Sequence, residues 1–378
     1  MKSEEQTLTG KFANAKVFTK KIDEETLGQV RRLLDHPYAA GSEIRIMPDT
    51  HIGKGAVVGT TMTFTDKIVP DVVGVDIGCG MYVAELGPQI LERKELEKLD
   101  AAIRKLVPSG SGIRNKLHGF SLSINLNDIR APLTNIDRIE RSIGSLGGGN
   151  HFIELNQDES GNHYLVIHSG SRSLGQQVAK YHQQKAVRYW QEKGNKTSDG
   201  HHVDPEFAYL EGNDMKQYLF DMGLTQRYAH LNRKAMMMEI TRAMDWEPVR
   251  TFDVVHNYLD LENRVIRKGA ISAKEGEEIL IPINMRDGSI LARGKGNPDW
   301  NYSAPHGAGR LLSRTQARKQ LKLNEFQQAM KGIYSTSVRK ATLDEAPLAY
   351  KPMEEILERT KETMADVKVL KSVYNFKA

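Results

Sequence analysis

Apolar positions along the chain fall into two kinds of spacing. A period near 3.6 predicts helices over Glu24–Leu34, Glu92–Leu106 and Leu174–Glu192, over Glu206–Met244 in two or more pieces, and over Met353–Asp366. Ser272 and Glu275, three apart after Gly269, have capping-box spacing and predict the start of a further short helix. Short runs rich in β-branched and aromatic residues predict strands over Ile68–Asp76, Tyr164–His168 and Phe252–His256. The polar run Thr197–Pro205 predicts an exposed loop. Strands and long helices do not alternate as regular βαβ units, so the pattern predicts an α+β fold.

Each predicted strand ends in a residue able to bind metal, followed by turn formers. Asp76 runs into Ile-Gly-Cys-Gly, His168 into Ser-Gly-Ser-Arg-Ser, and His256 into Asn-Tyr-Leu-Asp. Packing alone gives a buried strand no reason to end in this way. Three such ends predict side chains converging at one rim of a sheet.

Composition changes this picture only at its edges. With 378 residues, 39% hydrophobic and 27% charged, the chain is neither disordered nor fibrous in composition. Its length would suit about two or three domains of roughly 150 residues. No repeat and no Pro-, Gly- or Ser-rich linker marks a boundary, however. No apolar run reaches the ~20 residues of a membrane-spanning helix. The opening MKSEEQTLTGKF lacks the apolar stretch of a signal peptide, so a cytoplasmic protein with no membrane partner is expected. Lys and Arg number 53 against 48 for Asp and Glu, a net charge of +5. So small an excess matters only if it clusters at a cleft, where it favours a phosphate-rich ligand. The single cysteine, Cys79, excludes an intramolecular disulfide and any zinc site built on thiolates alone.

Candidate chemistry gathers in five places. Asp76 and Cys79 are three apart in a glycine-bracketed turn that lets a carboxylate and a thiolate face one centre. Gly147–Gly149 precede Asn150, His151 and Glu154, and their backbone N–H groups suit a phosphate. His168-Ser169-Gly170-Ser171-Arg172 closes a strand with hydroxyls, a glycine and a guanidinium. His256-Asn257 follows another strand. His306 sits among small residues in Ala-Pro-His-Gly-Ala-Gly-Arg, and Arg310 and Arg314, four apart, are expected to share a helix face toward phosphate.

Of twelve histidines, His36, His118, His163, His182 and His230 read as surface or structural residues, and the role of His51 in Pro-Asp-Thr-His-Ile-Gly is left open. Asp76, Cys79, His151, His168, His256 and His306 exceed the three or four protein ligands of one zinc site. They suit two metal ions with one shared ligand and one histidine to spare. Paired ions can stabilise both the attacking and the leaving oxygen of a phosphoryl displacement. Ligand softness alone would favour zinc. The residues by themselves therefore predict a metal-dependent phosphoryl-transfer enzyme.

These motifs, in this order, resemble those of the RtcB RNA ligases: Val-Asp-Ile-Gly-Cys-Gly-Met at 75–81, Gly-Gly-Gly-Asn-His-Phe at 147–152, His-Ser-Gly-Ser-Arg at 168–172, His256-Asn257, Gly-Lys-Gly-Asn-Pro at 294–298 and His-Gly-Ala-Gly-Arg at 306–310. The resemblance runs from Met-Pro-Asp-Thr-His at 47–51 to the end of the chain. It implies one compact α+β domain over residues 1–378, two Mn²⁺ ions in place of zinc, and GTP. Asp76, Cys79 and His151 are then expected to hold one ion, and Cys79, His168 and His256 the other. His306 is expected to be the nucleophile that takes GMP from GTP.

The same resemblance places the nucleotide against Asn150, His151, Phe152, Ile153, Glu154, His256, Asn257, Pro282, Ile283, Asn284, Met285, Ser289, His306, Gly307, Ala308, Gly309, Tyr350 and Lys377. Arg172, Arg310 and Arg314 are candidates for RNA or triphosphate oxygens. The implied reaction joins RNA 2′,3′-cyclic phosphate or 3′-phosphate ends to 5′-OH ends through an RNA-ppG intermediate, in tRNA splicing or RNA repair.

Two departures stand out. Pro282-Ile283-Asn284-Met285-Arg286 replaces the usual Pro-Gly-Ser-Met-Gly, which bears on guanine selectivity, and the ending Val-Tyr-Asn-Phe-Lys-Ala replaces Val-Lys-Gly. The chain is short for the family, as a trimmed paralogue would be. The alternatives are a cyclic-phosphate hydrolase that has lost ligation and a non-catalytic RNA-binding module. The residues leave open whether an activating protein partner is needed.

Overall fold

The computed structural model describes residues 5–19 and 21–378. The first four residues of the opening stretch, read above for a leader, lie outside them. In chain order, β1 (Gln6–Thr9) and β2 (Asn14–Val17) form a hairpin, and α1 (Glu24–Leu34) leads to β3 (Ile44–His51) and β4 (Val58–Thr63). The short strand β5 (Lys67–Ile68) and the single turn α2 (Pro70–Val73) precede β6 (Gly80–Pro88) and α3 (Arg93–Leu106). After α4 (Ile136–Glu140) come the hairpin β7 (Phe152–Gln157) and β8 (Asn162–Ser169), then α5 (Arg172–Glu192), β9 (Leu210–Glu211) and α6 (Gly212–Met244). Strands β10 (Arg250–Val255), β11 (Asn257–Asp260), β12 (Val265–Lys268) and β13 (Ala270–Ser272) are followed by β14 (Glu278–Asn284), β15 (Gly288–Gly294) and β16 (Ser303–Pro305). Helices α7 (Arg314–Gln320), α8 (Leu323–Ala329) and α9 (Met353–Arg359) then lead to the long strand β17 (Met364–Lys377).

Two sheets carry the architecture. One is a seven-stranded antiparallel sheet in the order β10-β6-β8-β7-β17-β15-β14. The other is six-stranded, in the order β1-β2-β3-β4-β12-β11, with β2 and β3 parallel. Strand pleat sorts the larger sheet's side chains onto two faces. Tyr82, Ala84, Ile153, Leu155, Leu165 and Ile167 pack on Met236, Met237 and Ile240 of α6 and on Leu99 and Ile103 of α3. Met81, Val83, Phe152, Tyr164, Val166 and Val254 face the other way, in a second apolar cluster with β14 and β15. Both faces are covered, and the whole is a single compact α+β domain, the class the residue pattern predicts and the single domain the resemblance implies. No helix among the described residues is long and apolar enough to cross a membrane.

Most long elements match their predicted places, and the departures have local causes. Helix α1 begins where the Asp23 side chain accepts from the Thr26 amide, an N-cap that fixes its start. The predicted strand Ile68–Asp76 is strand only at Ile68. Pro70, with its fixed φ and missing N–H, opens α2 instead, and Gly74 at φ +95° follows it. Ser272 starts no helix: it ends β13, and its hydroxyl and the Lys274 amide both donate to Glu277, closing a turn. The segment Glu206–Met244 is not cut into several helices. Its first residues form a 3₁₀ turn and β9, and α6 then runs unbroken for 33 residues, through Gly223, because it packs along its length. The helix predicted over Met353–Asp366 stops at Arg359, and β17 begins at Met364. Phe252–His256 is strand to Val255, with His256 in the one-residue break before β11. Thr197–Pro205 is irregular apart from a bridge between Lys196 and His202.

Candidate active site

The pleat that sorts the core also aims the chemistry. Glu154 shares parity with Phe152, His168 with Val166, and His256 with Val254, while Cys79 lies two residues before Met81. On β17, Asn375 pairs with Glu154 and Lys377 with Phe152. All these residues thus belong to one face of the seven-stranded sheet, at its Cys79/Ser169 end. Ile153 belongs to the opposite face and is buried in the core there.

The Asp76–Cys79 turn is held by tight packing and by one buried arginine. Gly78 (φ +71°) donates to Asn257 O at 2.7 Å, and a Cβ there would lie 2.9 Å from Ala229 Cβ on α6. Arg233 of α6 is fully buried. Its Nη1 donates to Gly78 O (2.6 Å) and Ser169 O (2.8 Å), and its other nitrogens grip Asp253 at 2.7 and 2.9 Å. The His256 amide donates to Cys79 O at 2.9 Å. One side chain therefore links the turn, the end of β8 and β10.

Five predicted ligands meet in a connected cluster. His151 Nε2 lies 3.0 Å from Asp76 Oδ2 and 3.5 Å from Cys79 Sγ. Cys79 Sγ lies 3.2 Å from His168 Nε2, which is 3.3 Å from His256 Nε2. Cys79 and the three histidines are buried. His151 Nδ1 faces Leu146 O at 2.8 Å, and His168 Nδ1 faces Asn150 O at 3.2 Å. Carbonyl oxygens only accept, so both rings carry their proton on Nδ1 and turn Nε2 lone pairs inward. In the neutral ring, a lone pair on His151 Nε2 faces a carboxylate oxygen of Asp76 at 3.0 Å. Such acceptor-to-acceptor contacts fit a cation, and the buried Cys79, His151 and His168 can hold a metal. Without a cation, burial and the nearby Asp76 push the Cys79 thiol up, while burial and the neighbouring rings hold His168 and His256 low. A bound cation reverses that balance for the thiol.

Next to the cluster stands His306, its ring centroid 5.0 Å from that of His256. Its Nδ1 is 2.8 Å from Oδ2 of Asp49, a fully buried carboxylate on β3 that also accepts from the Gly307 amide at 3.3 Å. The carboxylate fixes the Nδ1–H tautomer and leaves Nε2 for other work. Small neighbours make this approach possible: a Cβ on Gly309 (φ +72°) would lie 2.7 Å from Asp49 O.

A cavity opens over His306, His168 and His256. Of the residues matched to the nucleotide, Asn150, Phe152, Glu154, Pro282–Met285, His306–Gly309, Tyr350 and Lys377 line it, as do Arg310 and Arg314. His151 lies deeper, in the cluster. Asn257 uses its side-chain oxygen on the Gly269 amide, and Ser289 is buried with its Oγ unpartnered. Arg172 is outside the lining: its Nε donates to Ser145 Oγ and its Nη2 to Gly110 O. Arg310 and Arg314 do not share a helix face, because α7 begins only at Arg314. They meet through carboxylates instead, with Arg314 Nη1 2.6 Å from Glu345 and 2.7 Å from Asp344.

Asp49, Arg233, Glu345 and Asn375 were not singled out by the sequence. Glu345 gathers Lys377, Tyr350 and Arg314 at the cavity. Asn375 Nδ2 donates to Glu154 Oε2 at 2.7 Å, while Glu154 Oε1 and Asn375 Oδ1 stay buried without partners. Burial pushes the Glu154 carboxyl up to about 8, against the pull of Asn375 and Lys377. Only Asp49 carried a signal, two residues from His51 in a polar run that ends a strand.

Fold and site together define a protein that can hold metal in a thiolate–imidazole cluster at the floor of a ligand cavity. The family described as tRNA-splicing ligase RtcB matches residues 29–135 and 127–378. The chain is 30% identical over 410 aligned residues to the RNA-splicing ligase RtcB of Escherichia coli K12, covering 97% of this chain and 98% of that one. It is 26% identical over 437 residues to the tRNA-splicing ligase RtcB of Thermococcus kodakarensis, covering 92% and 89%. The chain belongs to the RtcB family.

Proposed function

We propose that this chain is a GTP- and Mn²⁺-dependent RNA ligase that joins 2′,3′-cyclic phosphate or 3′-phosphate ends to 5′-OH ends, in tRNA splicing or RNA repair. The observation that carries the reading is His306, oriented by Asp49 and lining a cavity beside the cluster that can hold metal. Asp76, Cys79 and His151 would hold one ion, and Cys79, His168 and His256 the other. Bound there, two divalent cations offset phosphate charge and stabilise a displacement at phosphorus.

The chain's own residues supply the rest. His306 attacks the α-phosphate of GTP through Nε2, while Asp49 keeps the Nδ1 proton and offsets the charge that develops on the ring. Pyrophosphate leaves, and the GMP passes from His306 to an RNA 3′-phosphate. On the cavity lining, Glu154 Oε1 and Asn375 Oδ1 are two buried acceptors awaiting donors, which suits the N1–H and 2-amino group of guanine. The altered β14–β15 turn satisfies its own new polar groups. Asn284 Oδ1 accepts from the Arg286 and Asp287 amides, and the Arg286 guanidinium is bound by Asp287 through two contacts of 2.7 and 2.8 Å. The new charge is thus neutralised within the turn.

Protein incubated with Mn²⁺ and GTP is expected to gain the mass of one GMP, mapped to the His306 peptide and absent in His306→Ala. Metal-loaded protein that stays unmodified refutes the reading. Conversion of cyclic phosphate ends without GTP and without joined product would replace it with a hydrolase.

A further inference from the structure

The ligase reading uses His306 as nucleophile and places Asp76, Cys79, His151, His168 and His256 at the metals. It leaves His51 without a task, although this ring lines the same cavity. His51 is the last residue of β3, paired with Val58. Its Nδ1 lies 3.3 Å from the main-chain oxygen of Asp49, the residue whose carboxylate orients His306. Asp49 thus sets the tautomers of two imidazoles, one through its side chain and one through its backbone. A carbonyl oxygen can only accept, so His51 carries its proton on Nδ1 and keeps a lone pair on Nε2. Among the described residues, Nε2 has no hydrogen-bond partner.

The loop that follows His51 is fixed rather than free. Gln29 accepts from the Gly53 amide (3.1 Å) and donates to the carbonyls of Gly53 and Gly55, the latter at 3.1 Å. Glu206 takes the Gly55 amide at 3.1 Å. Gly55 is in the left-handed region (φ +74°), where a Cβ would lie 2.5 Å from Asp71 O. A cavity-lining ring with a set tautomer, a free lone pair and an anchored backbone has the chemistry of a general base facing the ligand space.

Resting on the ligase reading, we propose that His51 is a second catalytic imidazole, which accepts the proton of the attacking 5′-hydroxyl when the RNA ends are sealed. In that step the 5′-oxygen forms a bond to the activated 3′-phosphorus. The bond from that phosphorus to the GMP oxygen breaks, and GMP leaves with the electron pair. The hydroxyl proton passes to Nε2 of His51 and then to solvent. Formation of the GMP adduct needs no such acceptor, because His306 attacks as a neutral ring. The charged and titratable groups facing His51 are Asp49 on its own strand, His306 after β16 and Lys351 before α9. Burial and the His306 ring outweigh Asp49 and hold His51 below the usual imidazole range, so it is a free base near pH 7.

The test separates the steps by giving Mn²⁺-loaded protein an RNA with a presynthesised 3′-ppG end and a 5′-OH partner strand, in single turnover across pH. A His306→Ala background removes the other ring as proton acceptor. In that background, His51→Gln is expected to slow sealing by about 10²-fold or more and to remove the acid limb of the pH–rate profile. In the His306-containing protein, the same substitution is expected to slow GMP-adduct formation far less, and that adduct also reports a folded site. Sealing within about threefold of the His51 protein, a persisting acid limb, or equal losses in both steps would overturn the proposal. Wild-type protein that neither takes up GMP nor seals would instead overturn the ligase reading beneath it.

Discussion

At the scale of single residues, the site is governed by which atom of each polar group is left unpaired. Asp49 uses Oδ2 to set the His306 tautomer. In Asp49→Asn that oxygen can be replaced by an amide N–H, which turns the ring or reverses its tautomer. The rate of GMP-adduct formation is expected to fall about 10²-fold or more, read by intact mass against time. Glu154 gives a pH dependence. Its carboxyl is pushed up to about 8, so below that pH the empty pocket holds it protonated. A guanine offering two N–H donors prefers the carboxylate, so binding releases a proton. Guanosine affinity is therefore expected to rise with pH up to about 8 and then level off. Titration calorimetry in buffers of different ionisation enthalpy reads the released proton, and Glu154→Gln removes the dependence.

At the scale of elements, the candidate ligands are held together by the packing of α6 against the larger sheet. Arg233 joins that helix to the Gly78 and Ser169 carbonyls and to Asp253 on β10. Arg233→Met leaves two carbonyls and the half-buried Asp253 carboxylate, which keeps only His230, without this partner. The expected cost is about 3–5 kcal/mol of unfolding free energy, measured by urea denaturation, with weaker metal retention by the folded fraction. Spacing located α1, α3 and α5 because an amphipathic face leaves a local trace in the sequence. It failed at Ile68–Asp76, where one proline outweighed a run of β-branched residues, and at Ser272, where a capping-box spacing served a turn. It also gave no sign that α6 would remain one helix, since that continuity comes from what packs against it.

At the scale of the whole molecule, metal and fold are expected to act as one system. Burying acceptors against one another costs stability that a bound cation offsets. Mn²⁺ is therefore expected to raise the thermal midpoint and EDTA to lower it, with about 2.7 kcal/mol gained at a hundredfold excess over Kd. Cys79→Ala is expected to abolish the shift. A midpoint indifferent to Mn²⁺ in the unsubstituted protein would show that the cluster does not bind it.

The kinds of candidate ligand, their order along the chain and the family of the chain were legible without coordinates, because each motif is a local string of residues. Asp49 and His306 stand 257 positions apart, Asn375 and Glu154 221 apart, and Glu345 reaches Lys377 across 32. No periodicity within a segment encodes such meetings. Strand order and register decide them, through long-range backbone pairing that brings Asn375 opposite Glu154 and gathers the strand ends at one rim. Amino-acid order set which groups were available; tertiary packing determined which of their lone pairs and protons were left free.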